Sequence, residues 1–239
     1  MKTKCIQLVI LFAIIGLAGS SAQTNSPSIT GAWKVNEADK EHVLIFQDGF
    51  FFHTAFDKNG KQFFLSQGGT YTQKGEEVNA KIYFHTANKD EVGTQLNARF
   101  SISGNTLNLY INGETQNWTR LDDGSTPLAG TWRITSRMQD GKLAPIHQTG
   151  ARQTYKILSG TRFQWAAINP ETKEFSGTGG GTYTFTNGKY TENIEFFSRD
   201  NTRVGASLTF DGKLENGEWH HSGLSSKGDK IYEVWSRVR

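Results

Sequence analysis

The sequence predicts an all-β protein built as two consecutive small antiparallel up-and-down β-barrels of about eight strands each. Three observations lead there. A Gly-x-Trp start and a Trp-x-Arg finish occur twice: Gly31-Ala32-Trp33 with Trp118-Thr119-Arg120, then Gly130-Thr131-Trp132 with Trp235-Ser236-Arg237. Between these ends the two halves align without gaps from Val43–Thr72 onto Tyr155–Thr184, Gly68-Gly69-Thr70-Tyr71-Thr72 falling on Gly180-Gly181-Thr182-Tyr183-Thr184. The chain has only 4 prolines against 26 glycines, and its apolar stretches are short and bounded by turn residues, as in a meander of strands.

The elements follow in order. Residues 1–22 read as an export signal: Lys2 and Lys4 precede an apolar run from Ile6 to Leu17, and Ser20-Ser21-Ala22 offers small residues for cleavage. The run is short for a membrane span, so no integral span is expected after cleavage, and the mature protein is expected to be periplasmic or secreted. Cys5 is the one cysteine and lies inside this segment, so the mature chain has no disulfide. Cleavage lowers Lys+Arg from 26 to 24 against 23 Asp+Glu, a net charge of +1. That balance leaves no field for nucleic acid or an anionic membrane. The first barrel is expected over 23–122, a linker over 123–127 and the second barrel over 128–239.

In the first copy, strands are expected to begin near Ala32, Val43, Phe50, Gln62, Val78, Val92, Thr106 and Thr115. The turns between them are marked by Gln47-Asp48-Gly49, Asp57-Lys58-Asn59-Gly60, Lys74-Gly75, Ser103-Gly104-Asn105 and Asn112-Gly113. A meander of this length leaves open edges unless it closes on itself. The second copy adds an insertion over 137–150, with room for a short lid helix, and a smaller one over 225–229.

Alternation with period two assigns the interior. Val78, Ala80, Ile82 and Phe84 form one inward set. Val92, Thr94, Leu96, Ala98 and Phe100 form the next, followed by Leu107, Leu109 and Ile111. Phe51, His53 and Ala55 are inward through their partners Phe163, Trp165 and Ala167. At inward positions the second copy has Tyr155 for Val43, Trp165 for His53, Tyr190 for Val78, Glu192 for Ala80, Trp219 for Leu107 and His221 for Leu109. The first lining is therefore almost wholly apolar. The second combines large aromatics with a carboxylate and an imidazole, the mixture of a small-molecule pocket. A buried Glu192 needs a partner, for which His221 and Arg152 are candidates. The alternative is an internal Glu–His or Glu–Arg pair in a barrel filled by its own side chains.

Phe50, Phe52 and Phe56 are expected to face outward, where the second copy has Arg162, Gln164 and Ile168. Such a patch implies a cover, either the second barrel or a protein partner. A one-residue slip in register would reverse this face.

The Trp-x-Arg pairing suggests structural closure. Trp33 and Trp132 plug one end of each barrel, and Arg120 and Arg237 lie across the indoles as charged lids. No Gly-x-Ser-x-Gly, Ser-x-x-Lys or His-Glu-x-x-His motif occurs, so no catalytic residue is assigned. Gly177-Thr178-Gly179-Gly180-Gly181 lacks the Gly-Lys-Ser/Thr end of a phosphate loop and reads as a strand bend. His220 and His221 are adjacent on a strand and point to opposite faces, so they do not chelate together. Glu218 and His220 share a face but read as solvated, and neither a metal nor a cofactor is expected. Asn117-Trp118-Thr119 matches a glycosylation sequon but coincides with the closing motif.

The stretches Gly180-Gly181-Thr182-Tyr183-Thr184, Tyr190-Thr191-Glu192-Asn193-Ile194 and Glu233-Val234-Trp235-Ser236-Arg237, with the duplicated Trp signature, resemble lipocalins. More narrowly they resemble the lipocalin-like, calycin-type domains of exported bacterial proteins of unknown function. The resemblance implies two antiparallel barrels, each with one open mouth, and a hydrophobic or amphipathic small-molecule ligand. The chain departs from the lipocalin pattern in lacking a middle Thr-Asp-Tyr motif, a disulfide and a helix after Arg237.

The expected function is binding of such a ligand, mainly in the second barrel, by Tyr155, Trp165, Tyr190, Glu192, Trp219 and His221. Two other readings stand beside it. One is a non-catalytic interaction module with filled barrels that docks a protein through the Phe50/Phe52 face. The other is an enzyme using Glu192 and His221 as an acid–base pair.

Overall fold

The computed structural model describes residues 27–146, 150–225 and 228–238. The expected export signal over 1–22, with Cys5, lies outside the described residues. Eight strands form a first closed antiparallel barrel: β1 (Gly31–Glu37), β2 (Lys40–Gln47), β3 (Phe50–Asp57), β4 (Gln62–Lys74), β5 (Glu77–His85), β6 (Gln95–Ser103), β7 (Thr106–Ile111) and β8 (Glu114–Asp122). The second barrel repeats this with β9 (Gly130–Gln139), β11 (Gln153–Leu158), β12 (Arg162–Asn169), β13 (Glu174–Thr186), β14 (Lys189–Phe197), β15 (Ser207–Glu215), β16 (Glu218–Leu224) and β17 (Lys230–Arg237), closed by β9–β17 pairing. The strand expected from Val92 starts instead at Gln95. A 3-10 turn, η1 (Lys89–Glu91), precedes it, capped by the Asn88 side chain accepting from Asp90 N. No helix among the described residues is long and apolar enough to cross a membrane.

The 137–150 insertion carries a strand rather than a lid helix. In this segment β10 (Lys142–Pro145) pairs with the outer half of β9 from Gln139 to Ser136. In the first barrel, β2 holds all of β1 in register from Gly31 to Glu37. In the second, β11 pairs with β9 only at Gly130–Arg133. The wall is therefore split between β10 and β11, at the end away from Trp132.

A one-residue bulge governs which side chains face inward. On β5, Ile82 pairs with Gly69 and Phe84 with Gly68, so Tyr83 is an extra residue. The alternation reverses there. Val78, Ala80 and Ile82 lie in the interior cluster, but Phe84, expected inward, lies outside with Phe52, their rings 5.2 Å apart. The second copy has the same bulge at Glu195, between Ile194 and Phe196. A side chain on Gly69 would collide with the Lys81 carbonyl, and one on Gly181 with the Asn193 carbonyl, which explains the repeated Gly-Gly pair.

A second correction concerns β2 and β11. Leu44 and Phe46 face into the first barrel, whereas Val43 and Ile45 face the second. By the same parity Leu158 is inside the second barrel, while Tyr155 and Ile157 are outside it.

The outer faces of β2–β5 pack on β11–β14. Phe50, Phe52, Phe56 and Phe84 meet Tyr155, Ile157, Ile168 and Phe196 in one buried cluster, with Phe50 5.4 Å from Tyr155 and Phe56 5.0 Å from Phe196. Beside it, Gln164 Nε2 donates to Ser66 Oγ (2.8 Å) and Thr178 Oγ1 (3.0 Å), and its oxygen accepts from Thr54 Oγ1 (2.8 Å). Arg162 bonds Glu195 and Glu41, and Lys58 reaches Glu195 at 3.0 Å. Two aspartates clamp the ends. Asp122 accepts from Gly160 N, Thr161 N and the Ser159 and Thr161 hydroxyls. Asp48 accepts from Thr131 N and from Arg237 Nε at 2.7 Å and Nη2 at 2.9 Å. These inter-barrel polar side chains are thus paired with one another, as burial requires.

Candidate functional site

The Trp33 and Trp132 ends of the two barrels share one hydrogen-bond pattern. Each indole N–H donates to a carbonyl four residues back, Trp33 to Ile29 and Trp132 to Leu128, both at 2.9 Å. Arg120 lies over the Trp33 ring at 3.9 Å. Arg237 stands across from Trp132 in the β17–β9 register, and its guanidinium forms two hydrogen bonds with Asp48 of the first barrel.

Their interiors differ. In the first barrel a cavity of about 130 Å³ is bordered by Leu44, Phe51, His53 and Trp118. His53 is partly buried there. Burial, then the neighbouring His42 and His85, hold its pKa down to about 3, so the ring is neutral at physiological pH. Its Nε2 lies 3.1 Å from His42 Nδ1, and Gln67 approaches its Nδ1 at 3.3 Å.

The second barrel contains a cavity of about 990 Å³ that reaches the split mouth. Trp165, Phe197, Leu208 and Phe210 form apolar walls, and Glu192, His221, Lys156 and Glu233 supply polar groups. Of the six residues expected to bind, Trp165, Glu192 and His221 line this cavity. Tyr190 and Trp219 lie beneath it in the packed core, both fully buried. Tyr155 is not with them; it faces the first barrel.

The partner of Glu192 is neither His221 nor Arg152. Lys156 Nζ sits 2.8 Å from Glu192 Oε1, and the Tyr190 hydroxyl donates to the same oxygen at 2.9 Å. The ammonium is enclosed by aromatic rings, 5.2 Å from the centroids of Trp219 and Trp235 and 5.5 Å from Tyr190. Lys156 and Glu192 are each only 5% exposed, so the charges are held by each other, by cation–π attraction and by the phenol. Burial, then Glu192, pushes the Tyr190 phenol well above 10, keeping it a donor. Lys156 replaces Leu44, just as Glu192 replaces Ala80. These two replacements are a readable signal of a new ion pair, hidden at the sequence level by assigning Val43 and Tyr155, rather than Leu44 and Lys156, to the interior.

His221 is 2% exposed and packs 4.1 Å from Phe210. Its Nδ1 is 3.4 Å from Glu233 Oε2, but neither ring nitrogen has a hydrogen-bond partner among the described residues. Burial lowers its pKa against the opposing pull of Glu233. Burial pushes Glu233 up, but His221, Lys156 and the Trp235 N–H (3.1 Å) outweigh it and hold the carboxyl below its usual range. The cavity floor therefore offers a neutral imidazole that can donate or accept. Among the described residues, no group of three or more His, Cys, Asp or Glu side chains is arranged to hold a metal.

No family model matches the chain, and no curated protein matches it. Among solved structures it is similar to an uncharacterized protein from Bacteroides eggerthii DSM 20697, at 12% identity and a TM-score of 0.32, over 46% of this chain and 98% of that one.

Proposed function

We propose that this chain is an exported, lipocalin-like binding protein for a small hydrophobic or amphipathic molecule, held in the second barrel. One observation carries the reading. Two copies of one framework enclose about 130 Å³ in the first barrel and about 990 Å³ in the second, a volume typical of ligand sites. The enlarged interior couples apolar walls to an imidazole whose Nε2 has no hydrogen-bond partner among the described residues and to a buried ion pair. Enzymatic use of Glu192 with His221 has less support, because the Glu192 carboxylate already accepts from Lys156 and Tyr190. A partner docking on Phe50 and Phe52 also has less support, because the second barrel covers that face.

The test is to block the mouth. Ala206 lines the cavity and corresponds to Thr94 in the first copy. Uptake of the neutral fluorophore N-phenyl-1-naphthylamine should weaken at least tenfold in Ala206→Trp and be unchanged in Thr94→Trp. Equal uptake by both variants would place the probe outside this cavity.

A further inference from the structure

We propose that the second barrel selects an anionic amphiphile. Its carboxylate, sulfonate or phosphate head would be held at the mouth by Arg137, Arg152 and Arg203, and its apolar body directed toward Trp165, Phe197 and Phe210. This rests on the binding reading above and adds the charge and orientation of the ligand.

The charges lining the cavity are unequal: four arginines and Lys156 against Glu192 and Glu233. Glu192 sits deep, 5% exposed, and Glu233 is partly exposed at 23%; both are engaged from within. Lys156 and Tyr190 hold Glu192, while His221 and the Trp235 N–H face Glu233. Arg137 stands across β9–β17 from Glu233, yet its side chain is exposed at the rim, beside the Gln139 amide. Arg152 is likewise exposed, where the wall is split between β10 and β11. Arg203 lies on η2 (Asn201–Arg203), oriented by Asp200 at 3.0 Å. No acidic residue occurs between Ile146 and Glu171, the stretch from the mouth through β12.

The first barrel serves as an internal control. Its 3-10 turn has the same shape, with Asn88 capping as Asp200 does. At the position of Arg203 it carries Glu91, 3.6 Å from His85, and the position of His85 becomes Phe197 in the second copy. The filled barrel therefore has an acidic group at this point of its mouth, and the open barrel has an arginine followed inward by an aromatic wall. Guanidinium groups match oxyanions in bidentate geometry, and partial exclusion of water strengthens that pairing. Deeper in, His221 Nε2, which has no hydrogen-bond partner among the described residues, provides one further polar contact for a ligand that reaches the floor.

A matched pair of probes tests this: 1-anilinonaphthalene-8-sulfonate and N-phenyl-1-naphthylamine share an aromatic body and differ by the sulfonate. Fluorescence titration of the folded chain at low salt should show the sulfonate binding at least tenfold tighter, the advantage shrinking in 1 M NaCl as exposed charges are screened. The double variant Arg137→Gln/Arg152→Gln should weaken the sulfonate at least fivefold and leave the neutral probe within twofold. Both substitutions are at exposed positions, and a cooperative melt confirms the fold. Equal affinity for the two probes, or an advantage unmoved by the double variant, would overturn anion selection while leaving the cavity reading intact. Failure of both probes to bind the folded chain would overturn both.

Discussion

At the residue scale, the second barrel is distinguished by a complementary pair of replacements. Where the first copy has Leu44 and Ala80, the second has Lys156 and Glu192, 2.8 Å apart and buried. Removing one partner strands the other charge in an apolar setting, so Lys156→Leu alone should cost about 3–5 kcal/mol in urea denaturation. Lys156→Leu with Glu192→Ala, which restores the first barrel's residues, should recover most of that loss. A double variant as unstable as the sum of the singles would show that the two residues do not act as a pair. Glu192 was readable from the alignment because an acid in an apolar stripe is conspicuous. Lys156 was not, because its strand was assigned the wrong parity. His53 gives a second residue-scale expectation. Its pKa is about 3 when folded and 6.5 ordinarily, so the unfolded chain binds the proton more tightly between those values. Stability is then fully present above pH 6.5 and is lost as pH falls toward 3, by about 2 kcal/mol at pH 5 from this residue alone. His53→Phe should flatten the stability profile between pH 7 and 5; an unchanged slope would assign the acid sensitivity to other groups.

At the element scale, alternation identified the inward faces of β5, β6 and β7 correctly as far as Ile82, and failed where two physical features intervened. The Tyr83 bulge adds one residue and turns Phe84 outward. On β2 and β11 the outer face is covered by the other barrel, so both faces are apolar and period two loses its contrast: Leu44–Gln47 and Tyr155–Leu158 are buried without interruption. The repeated Gly-Gly pair was visible in the sequence, and the structure gives its reason: β4 meets the bulged β5 too closely for a Cβ at Gly69. Gly69→Ala should therefore destabilise the protein by more than about 2 kcal/mol, well beyond an ordinary surface change. A melting temperature within one degree of wild type would contradict the close approach. The split between β10 and β11 had only a coarse sequence signal, an insertion of unassigned conformation.

At the scale of the whole molecule, the two barrels form one body with a shared apolar cluster, a buried Gln164 network and the Asp48 and Asp122 clamps. Phe50, Phe52 and Phe56 stood out as an outward patch because the corresponding residues in the second copy differ; which surface covers them required the structure. A single cooperative calorimetric transition is expected. Two resolved transitions would mean that the interface contributes little. Asp48→Asn should lower the midpoint, since it weakens the charge-assisted bonds to Arg237 that join the barrels. The central claim concerns the contents of the second barrel, and native mass spectrometry of protein purified from its producing organism, before and after organic extraction, addresses it most directly. The account predicts an added mass on the order of a few hundred daltons, the size such a cavity holds, removed by extraction and absent from Ala206→Trp. A bare chain mass in the wild type, with no uptake of either naphthalene probe afterwards, would contradict it.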